Sequence, residues 1–217
     1  MEKMSTVSHA ASAKKIHPFQ TDDPRLQPIH DKVMAQERLS ADDALALYRS
    51  GDILAIGWLA NHVRERIHGD IAYFNVNRHI NYTNVCVAAC RLCAFGRKKD
   101  SPGAYTMALD EVWNTAASGY TEAITEFHIV GGLHADLPFQ YYVDLIAGLK
   151  ERFPQVHLKA FTMVEIAFFA KIGKMTPREV LVKFKEAGLD SMPGGGAEIF
   201  SDRIRHIICD QIGRAHV

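Results

Sequence analysis

The chain has 217 residues, of which 47% are hydrophobic and 23% are charged, and its 25 basic residues balance its 25 acidic ones. This composition predicts a globular protein with a substantial core, and the absence of net charge argues against nucleic acid or an anionic membrane as a partner. No stretch approaches the roughly 20 apolar residues of a membrane helix, and the N-terminus lacks the apolar run of a secretory signal, so we expect a cytoplasmic protein.

The first 70 residues divide into a polar extension, residues 1–38, and a pair of helices, residues 39–70. Ser40 is followed at the third position by Asp43, the pattern of a helix N-cap with an acidic partner. Asp52 can cap a second helix, in which apolar residues from Ile53 to Ile67 recur at spacings of three and four. We expect these helices to form a layer packed on the domain that follows.

Residues 71–211 show strands and helices in alternation. The pattern predicts strands at 72–76, 123–130, 156–161 and 189–192, and helices at 109–118, after Pro138, and from Thr176 to Gly188. Such alternation indicates a parallel sheet with right-handed crossovers. The predicted fold class is α/β, a partial (β/α) TIM-type barrel of about four units with an N-terminal helical layer, because a full barrel takes about 250 residues.

The last six residues, 212–217, read IGRAHV and resemble the translation of a common sequencing adapter. We interpret them as a non-native tail and expect a reading frame cut off at about Gln211. A cut there would explain why the pattern reaches only about half of a barrel.

Three of the four cysteines lie in one loop after the first predicted strand, with the spacing C-x-x-x-C-x-x-C. They are Cys86, Cys90 and Cys93, and Cys209 lies far along the chain. Such a cluster indicates metal or redox chemistry rather than a disulfide scaffold. A [4Fe–4S] cluster ordinarily takes four thiolates, so three would leave one iron open to a small molecule.

Two other interpretations of this loop stay open. A structural zinc site could combine the three thiols with a histidine such as His79, which would make the chain a binding module. A ferredoxin-like electron carrier would need Cys209 as the fourth ligand, although a small thiol buried in the core is the simpler interpretation of that residue.

Further candidate residues fall at the C-terminal ends of the predicted strands, where parallel α/β folds gather functional groups. Gly131 and Gly132 end the second strand with backbone that a ligand can approach closely. The other candidates at these ends are His134, Lys159, Glu165, Gly195 and Glu198. We expect the strand ends to converge on one face of the domain.

These stretches together resemble the radical S-adenosylmethionine (SAM) superfamily and, within it, the aminofutalosine synthases of the futalosine route to menaquinone. The resemblance runs from about Leu39 to Cys209 and is carried by NRHINYTNVC, CAFGRKK, FHIVGGLHADLPFQYY, HLKAFTMVEI and GLDSMPGGGAEIF. The sequence departs from the superfamily pattern at Leu92, where an aromatic residue is usual, and at Leu133, where an acid is common. Dehypoxanthine futalosine cyclases and the synthases of the deazaflavin chromophore share the loop and are the alternatives within the superfamily.

The resemblance implies cofactors and a reaction. Cys86, Cys90 and Cys93 would hold a [4Fe–4S] cluster whose open iron binds SAM, with Gly131, Gly132 and Tyr82 as cofactor-binding residues. The enzyme would be a transferase that adds the 5′-deoxyadenosyl radical to 3-[(1-carboxyvinyl)oxy]benzoate and gives 6-amino-6-deoxyfutalosine with loss of carbon dioxide. Its partners would be SAM, this substrate and an electron donor such as flavodoxin or ferredoxin.

A substrate with two carboxylates also needs cationic or N–H partners. Arg97, Lys159 and the amides around Gly195 are the nearest candidates in the sequence. His134, Glu165 and Glu198 complete the predicted substrate-binding set.

Overall fold

The computed structural model describes residues 17–88, 90–195, 199 and 201–209. The chain forms two compact units, of which one ends at Tyr73 and the other begins at Phe74. No helix within the described ranges is both long enough and apolar enough to cross a membrane.

The first unit is helical. Its elements are α1 (Leu26–Met34), α2 (Ala41–Arg49) and α3 (Ile53–His68). The predicted cap of α2 is confirmed, because the Ser40 hydroxyl accepts a hydrogen bond from the Asp43 N–H at 3.2 Å and the Asp43 carboxylate accepts one from the Ser40 N–H at 2.8 Å. Asp52 caps α3 with a single hydrogen bond, which its carboxylate accepts from the Ala55 N–H at 3.0 Å.

The structure differs from the prediction for this unit in two respects. Helix α1 lies inside residues 1–38, which were expected to be a polar extension, because its apolar residues bury one face against α3. The shared cluster consists of Leu26, Ile29, Val33, Ala55 and Leu59. The stripe predicted for α3 is also displaced, since Ile53 and Ile67 are 71% and 59% exposed while Ala55 and Leu59 are buried.

The second unit is a parallel sheet with helical crossovers. Its strands are β1 (Asn77–Ile80), β2 (Glu126–Ile129) and β3 (His157–Ala160), and they pair in the order β1-β2-β3. The helices are α4 (Leu109–Ser118), α5 (Phe139–Arg152), α6 (Met163–Gly173), α7 (Pro177–Ala187) and α8 (Asp202–Ile208). The alternation predicted from the sequence is therefore confirmed for this unit.

The strands are shorter than predicted, and the first is displaced. β1 begins only after the predicted segment 72–76 ends, and the apolar residues that suggested that segment, Tyr73 and Phe74, are 80% and 84% exposed. The predicted fourth strand at 189–192 is a single parallel bridge between Lys159 and Ser191. Pro193 follows at once and has no N–H with which to extend the ladder.

The alternation of side chains along the strands separates two faces of this sheet. One face is buried under α4 to α7 and supplies Ile80, Phe127, Ile129, Leu158 and Ala160 to the main hydrophobic cluster. The other face, called here the polar face, carries Asn77, His79, Glu126, His128, His157 and Lys159. In a closed barrel this face points to the interior.

Phe161, the first residue after β3, has a strained backbone. Its φ of 61° lies in the left-handed region, which a residue with a side chain rarely adopts and which costs on the order of 1 kcal/mol. The side chain is fully buried, with its ring centroid 5.0 Å from that of Phe169 in α6 and 4.7 Å from that of Phe184 in α7. Aromatic packing therefore offsets the backbone strain at this strand end.

Candidate functional site

The cysteine loop and the strand ends enclose a cavity of about 520 Å³, called here the cysteine cavity. Its lining includes Cys86, Cys90, Cys93 and Cys209, together with Gly131, Glu165 and Gly195. The predicted convergence of strand ends is therefore confirmed for the segments that follow β2 and β3 and for the glycines after Pro193.

Backbone hydrogen bonds close the cysteine loop on itself. The Arg97 N–H donates to the Asn84 carbonyl at 2.8 Å, and the Cys86 N–H donates to the Arg97 carbonyl at 2.9 Å. The Arg97 guanidinium donates to the carbonyls of Ala94 and Gly96, at 2.7 and 2.9 Å. The loop is thus held in shape by its own backbone and by Arg97, whose predicted contact with substrate stays a prediction.

The thiols differ in environment. Cys93 is exposed, Cys86 and Cys90 are half-buried, and Cys209 is buried. Burial, together with the neighbouring thiols of Cys209 and Cys86, raises the pKa of Cys90 to about 11. Cys209 reaches this place because the Arg91 N–H donates to the Ile208 carbonyl at 2.8 Å, which ties the end of α8 to the loop.

The donor set of the cysteine cavity suits an iron–sulfur cluster. Soft thiolates are the ligands that such clusters take, and three of them are spaced along one short loop. Within the described ranges, no three metal-binding side chains already lie close enough together to hold an ion. In its described part, the structure offers no histidine as the fourth ligand of a zinc site. None of the described residues that line the cavity is a histidine, and the His79 ring is stacked on the His128 ring, with centroids 4.5 Å apart.

In the chain without a cluster, we expect the cysteines to be alkylated in the order of their solvent exposure, with Cys93 reacting first and Cys209 last. Thiolate is the reactive form, so the raised pKa of Cys90 delays that residue as well. Iodoacetamide labelling at pH 8, followed by peptide mass spectrometry over time, measures the order. Labelling of Cys209 ahead of Cys93 would contradict the buried position of Cys209.

The two glycines after β2 are required by packing as well as by the cavity. A Cβ at Gly131 would lie 2.5 Å from the Tyr82 ring, and one at Gly132 would overlap the carbonyl oxygen of Val85. The Gly132 N–H also donates to the Thr83 carbonyl at 2.9 Å. The glycines therefore let the end of β2 lie directly against the start of the cysteine loop, a reason that the sequence did not reveal.

Glu165 joins three strand ends through one buried carboxylate, which is only 3% exposed. Its Oε1 accepts hydrogen bonds from the Tyr82 hydroxyl at 3.0 Å and from the Gly131 N–H at 3.2 Å, and its Oε2 accepts one from the Thr162 N–H at 2.6 Å. Burial raises the pKa of Glu165 although these hydrogen bonds act in the opposite direction. The residue predicted to bind substrate thus connects the segments after β1, β2 and β3.

Tyr82 and the remaining predicted residues are dispersed. Tyr82 is fully buried behind Gly131, so the structure gives it a contact with Glu165 rather than a surface on the cavity. His134 is also buried, accepts a hydrogen bond from the Asp136 N–H at 3.2 Å, and lines a separate cavity of about 330 Å³. Lys159 lies on the polar face, and Glu198 falls outside the described residues.

The lining of the cavity also contains Cys209, for which the sequence favours a core thiol over a fourth ligand, and Thr162, which is not among the predicted site residues. A Cβ at Gly195 would lie 2.7 Å from the Thr162 Cβ, so the last segment approaches the start of α6 closely. The spacing of Thr162 and Glu165 is that of a capping box and could have indicated the position of Thr162. The sequence-based prediction instead assigns the Glu165 carboxylate to substrate binding.

Comparison with known proteins gives close relatives. The chain is 47% identical over 195 residues to aminodeoxyfutalosine synthase from Thermus thermophilus, which covers 90% of this chain and 51% of that protein. It is 46% identical over 182 residues to the synthase of the same name from Streptomyces coelicolor, covering 84% and 47%. It is 38% identical over 182 residues to cyclic dehypoxanthine futalosine synthase from Halalkalibacterium halodurans, covering 82% and 48%. The chain thus spans about half the length of the curated relatives it matches.

No family model matches the sequence. Among solved structures, methylornithine synthase is similar in fold, with a TM-score of 0.63 over 86% of this chain and 54% of that chain, at 17% identity. This likeness confirms the predicted fold class, part of a (β/α) barrel with a parallel sheet.

Proposed function

Since the chain belongs to the radical SAM family that includes the aminodeoxyfutalosine synthases, we propose that it serves the reaction of that group. In this reaction the C5′–S bond of SAM breaks, methionine leaves, and the 5′-deoxyadenosyl group is transferred to 3-[(1-carboxyvinyl)oxy]benzoate, giving 6-amino-6-deoxyfutalosine and carbon dioxide. The observation that carries the proposal is the cysteine cavity, whose lining contains the three loop cysteines and Gly131. The higher identity to the synthases than to the cyclic dehypoxanthine futalosine synthase favours this reaction over that alternative.

Cys86, Cys90 and Cys93 would hold a [4Fe–4S] cluster, and the backbone at Gly131 would lie against SAM. The bound cluster and SAM supply a carbon radical, which is the chemistry that the protein itself cannot provide. Cys209 is the remaining thiol of the cavity, and its burial suits a wall residue.

What the chain itself contributes is a mainly apolar wall around the cavity. Leu92, Val130, Leu133 and Val164 are apolar residues of its lining. A reactive carbon radical is protected by distance and by exclusion of competing hydrogen donors, so an apolar wall serves the reaction. Leu92 and Leu133, the two departures from the superfamily pattern, both belong to this wall.

The proposed reaction also requires contacts for the substrate and a protein that donates an electron. A substrate with two carboxylates needs cationic or N–H partners, and Arg97, His134, Lys159 and Gly195 remain the proposed contacts, with Glu198 outside the described residues. The donor would be a flavodoxin or a ferredoxin, because reduction of the cluster needs one electron at a low potential.

The test is anaerobic reconstitution of the full chain with iron and sulfide, followed by addition of SAM, dithionite and 3-[(1-carboxyvinyl)oxy]benzoate. We expect iron-dependent absorbance in the visible range and formation of 6-amino-6-deoxyfutalosine, detected by mass spectrometry. In Cys86→Ser both should fall to the level of the iron-free control, because three thiolates are needed to retain the cluster.

Cys209→Ser is the matched control, since it removes a thiol from the same cavity but not from the loop. Iron content equal to that of the unaltered chain is expected for this variant. Bound zinc without SAM cleavage would instead support the structural module, and turnover of dehypoxanthine futalosine in place of the benzoate would support the cyclase.

A further inference from the structure

The polar face of the sheet carries a group of charged and aromatic side chains outside the lining of the cysteine cavity. His79, His128 and Lys159 occupy the same register position on β1, β2 and β3. The rings of His79 and His128 are stacked, with centroids 4.5 Å apart and planes inclined by 3°. Three neighbouring strands thus present two parallel imidazoles and an ammonium group side by side.

Glu126 precedes His128 by two residues on the same face of β2, and its carboxylate lies near His128 and Lys159. Its Oε1 is 3.7 Å from Nδ1 of His128, and its Oε2 is 3.7 Å from Nζ of Lys159. Both distances are too long for a hydrogen bond. The Glu126 carboxylate can therefore orient the His128 imidazole and the Lys159 ammonium group electrostatically, although it forms a hydrogen bond with neither.

One oxygen of this carboxylate is buried without a hydrogen bond. Glu126 is only 6% exposed, its Oε2 accepts a hydrogen bond from the Asn75 side-chain amide at 3.3 Å, and its Oε1 has none among the described residues. A buried polar atom left unpaired is destabilising. A small movement of His128 toward Glu126 would supply the missing donor, and contacts in catalytic sites commonly tighten in this way when a ligand binds.

We propose that His79, His128 and Lys159, oriented by Glu126, form a binding site for an aromatic carboxylate. The ammonium group of Lys159 meets the carboxylate, and the ligand ring lies parallel to the stacked imidazoles. This inference rests on the proposed function, because the proposed substrate is an arene that carries carboxylates. It assigns His79, Glu126 and His128 to substrate binding, which the sequence motifs do not indicate.

Benzoate is the probe that tests the site apart from the reaction. Binding of benzoate to the full chain is measured by NMR titration of the ligand resonances. We expect an upfield shift of the benzoate protons from the stacked rings, and a dissociation constant that rises about tenfold in Lys159→Met, the effect of one charge-assisted hydrogen bond.

Lys150→Met is the matched control. The side chains of Lys150 and Lys159 are 29% and 30% exposed, and each lies near a carboxylate, but Lys150 pairs with Asp190 away from the polar face. Its dissociation constant for benzoate should equal that of the unaltered chain. Glu126→Gln keeps the shape of the side chain and should weaken binding by a smaller factor, while circular dichroism verifies that each variant is folded.

The outcomes separate the site from the reaction. Unchanged benzoate binding in Lys159→Met, or no benzoate binding by the unaltered chain, overturns the site even if the aminofutalosine is formed. Benzoate binding that depends on Lys159, in a chain that forms no product, supports the site and overturns the proposed function.

Discussion

Glu165→Gln is expected to destabilise the second unit by about 1–3 kcal/mol and to reduce the iron retained after reconstitution. The carboxylate accepts hydrogen bonds through both of its oxygens, from Tyr82, Gly131 and Thr162. A glutamine offers one acceptor oxygen and one NH₂ group, so at least one buried donor would face another donor. Urea-induced unfolding, monitored by circular dichroism, measures the loss of stability, and iron analysis after reconstitution measures how much cluster is retained.

Glu179→Gln is the matched control for this change. Glu179 forms the same capping box with Thr176, at 2.7 Å from its carboxylate to the Thr176 N–H, but on the exposed start of α7. Both variants lose a capping carboxylate, and only Glu165→Gln loses the contacts with Tyr82 and Gly131. Equal losses in the two variants would show that the strand-end contacts of Glu165 contribute nothing.

The pH dependence of stability provides a second measurement on the same variant. Burial raises the pKa of Glu165, so the folded chain binds the proton more tightly than the unfolded chain. The contribution of this group is therefore present below the pKa of the unfolded chain and is lost as pH rises through the higher pKa of the folded chain. In Glu165→Gln this decline with rising pH should be absent, and a slope identical to that of the unaltered chain would contradict the buried position of the carboxylate.

Gly132→Ala is expected to have the largest effect of any single methyl group added near the cysteine cavity. The new Cβ would overlap the Val85 carbonyl oxygen and lie 3.0 Å from the Cys86 Cβ, so the start of the cysteine loop must move. Overpacking against backbone costs about 1–3 kcal/mol, and here the displaced segment carries the first cluster ligand. We expect a lower urea midpoint and loss of bound iron.

Gly194→Ala is the control, because Gly194 lines the same cavity but a Cβ there would meet no atom within 4 Å. Its urea midpoint and iron content should match those of the unaltered chain. If Gly132→Ala retained its iron as fully as Gly194→Ala, the close approach of the β2 end to the cysteine loop would not matter for the cluster.

The starts of α2 and α7 could be predicted from the sequence because their causes are local, whereas α1, α6 and α8 were not predicted. Ser40 with Asp43 and Thr176 with Glu179 form capping boxes between residues three apart, and the sequence predicts a helix that starts at each of them. Thr162 with Glu165 has the same spacing but directly follows a strand, so its carboxylate was interpreted as a ligand contact instead.

The strand ends were less predictable, because strands are stabilised by partners that are distant in sequence. Tyr73 and Phe74 favoured a strand by residue type, yet both are exposed and the ladder begins at Asn77.

The loop cysteines could be predicted from their spacing, whereas their surroundings could not. The position of Cys209 depends on a hydrogen bond between Arg91 and Ile208, which are distant in the sequence. The sequence likewise identified Lys159 but not His128 or Glu126, because the neighbours of a strand residue depend on register.

The left-handed Phe161 makes the geometry of the cysteine cavity depend on the aromatic core behind the sheet. The residue after it, Thr162, caps α6 and hydrogen-bonds Glu165, so a rotation at Phe161 would be transmitted to Gly131 and Tyr82. A smaller side chain at Phe184 would loosen the support of that conformation without touching the cavity. Cofactor affinity can therefore drift through substitutions in the aromatic core between the sheet and the helices, and an attempt to transplant the cysteine loop onto another barrel would have to carry this aromatic support with it.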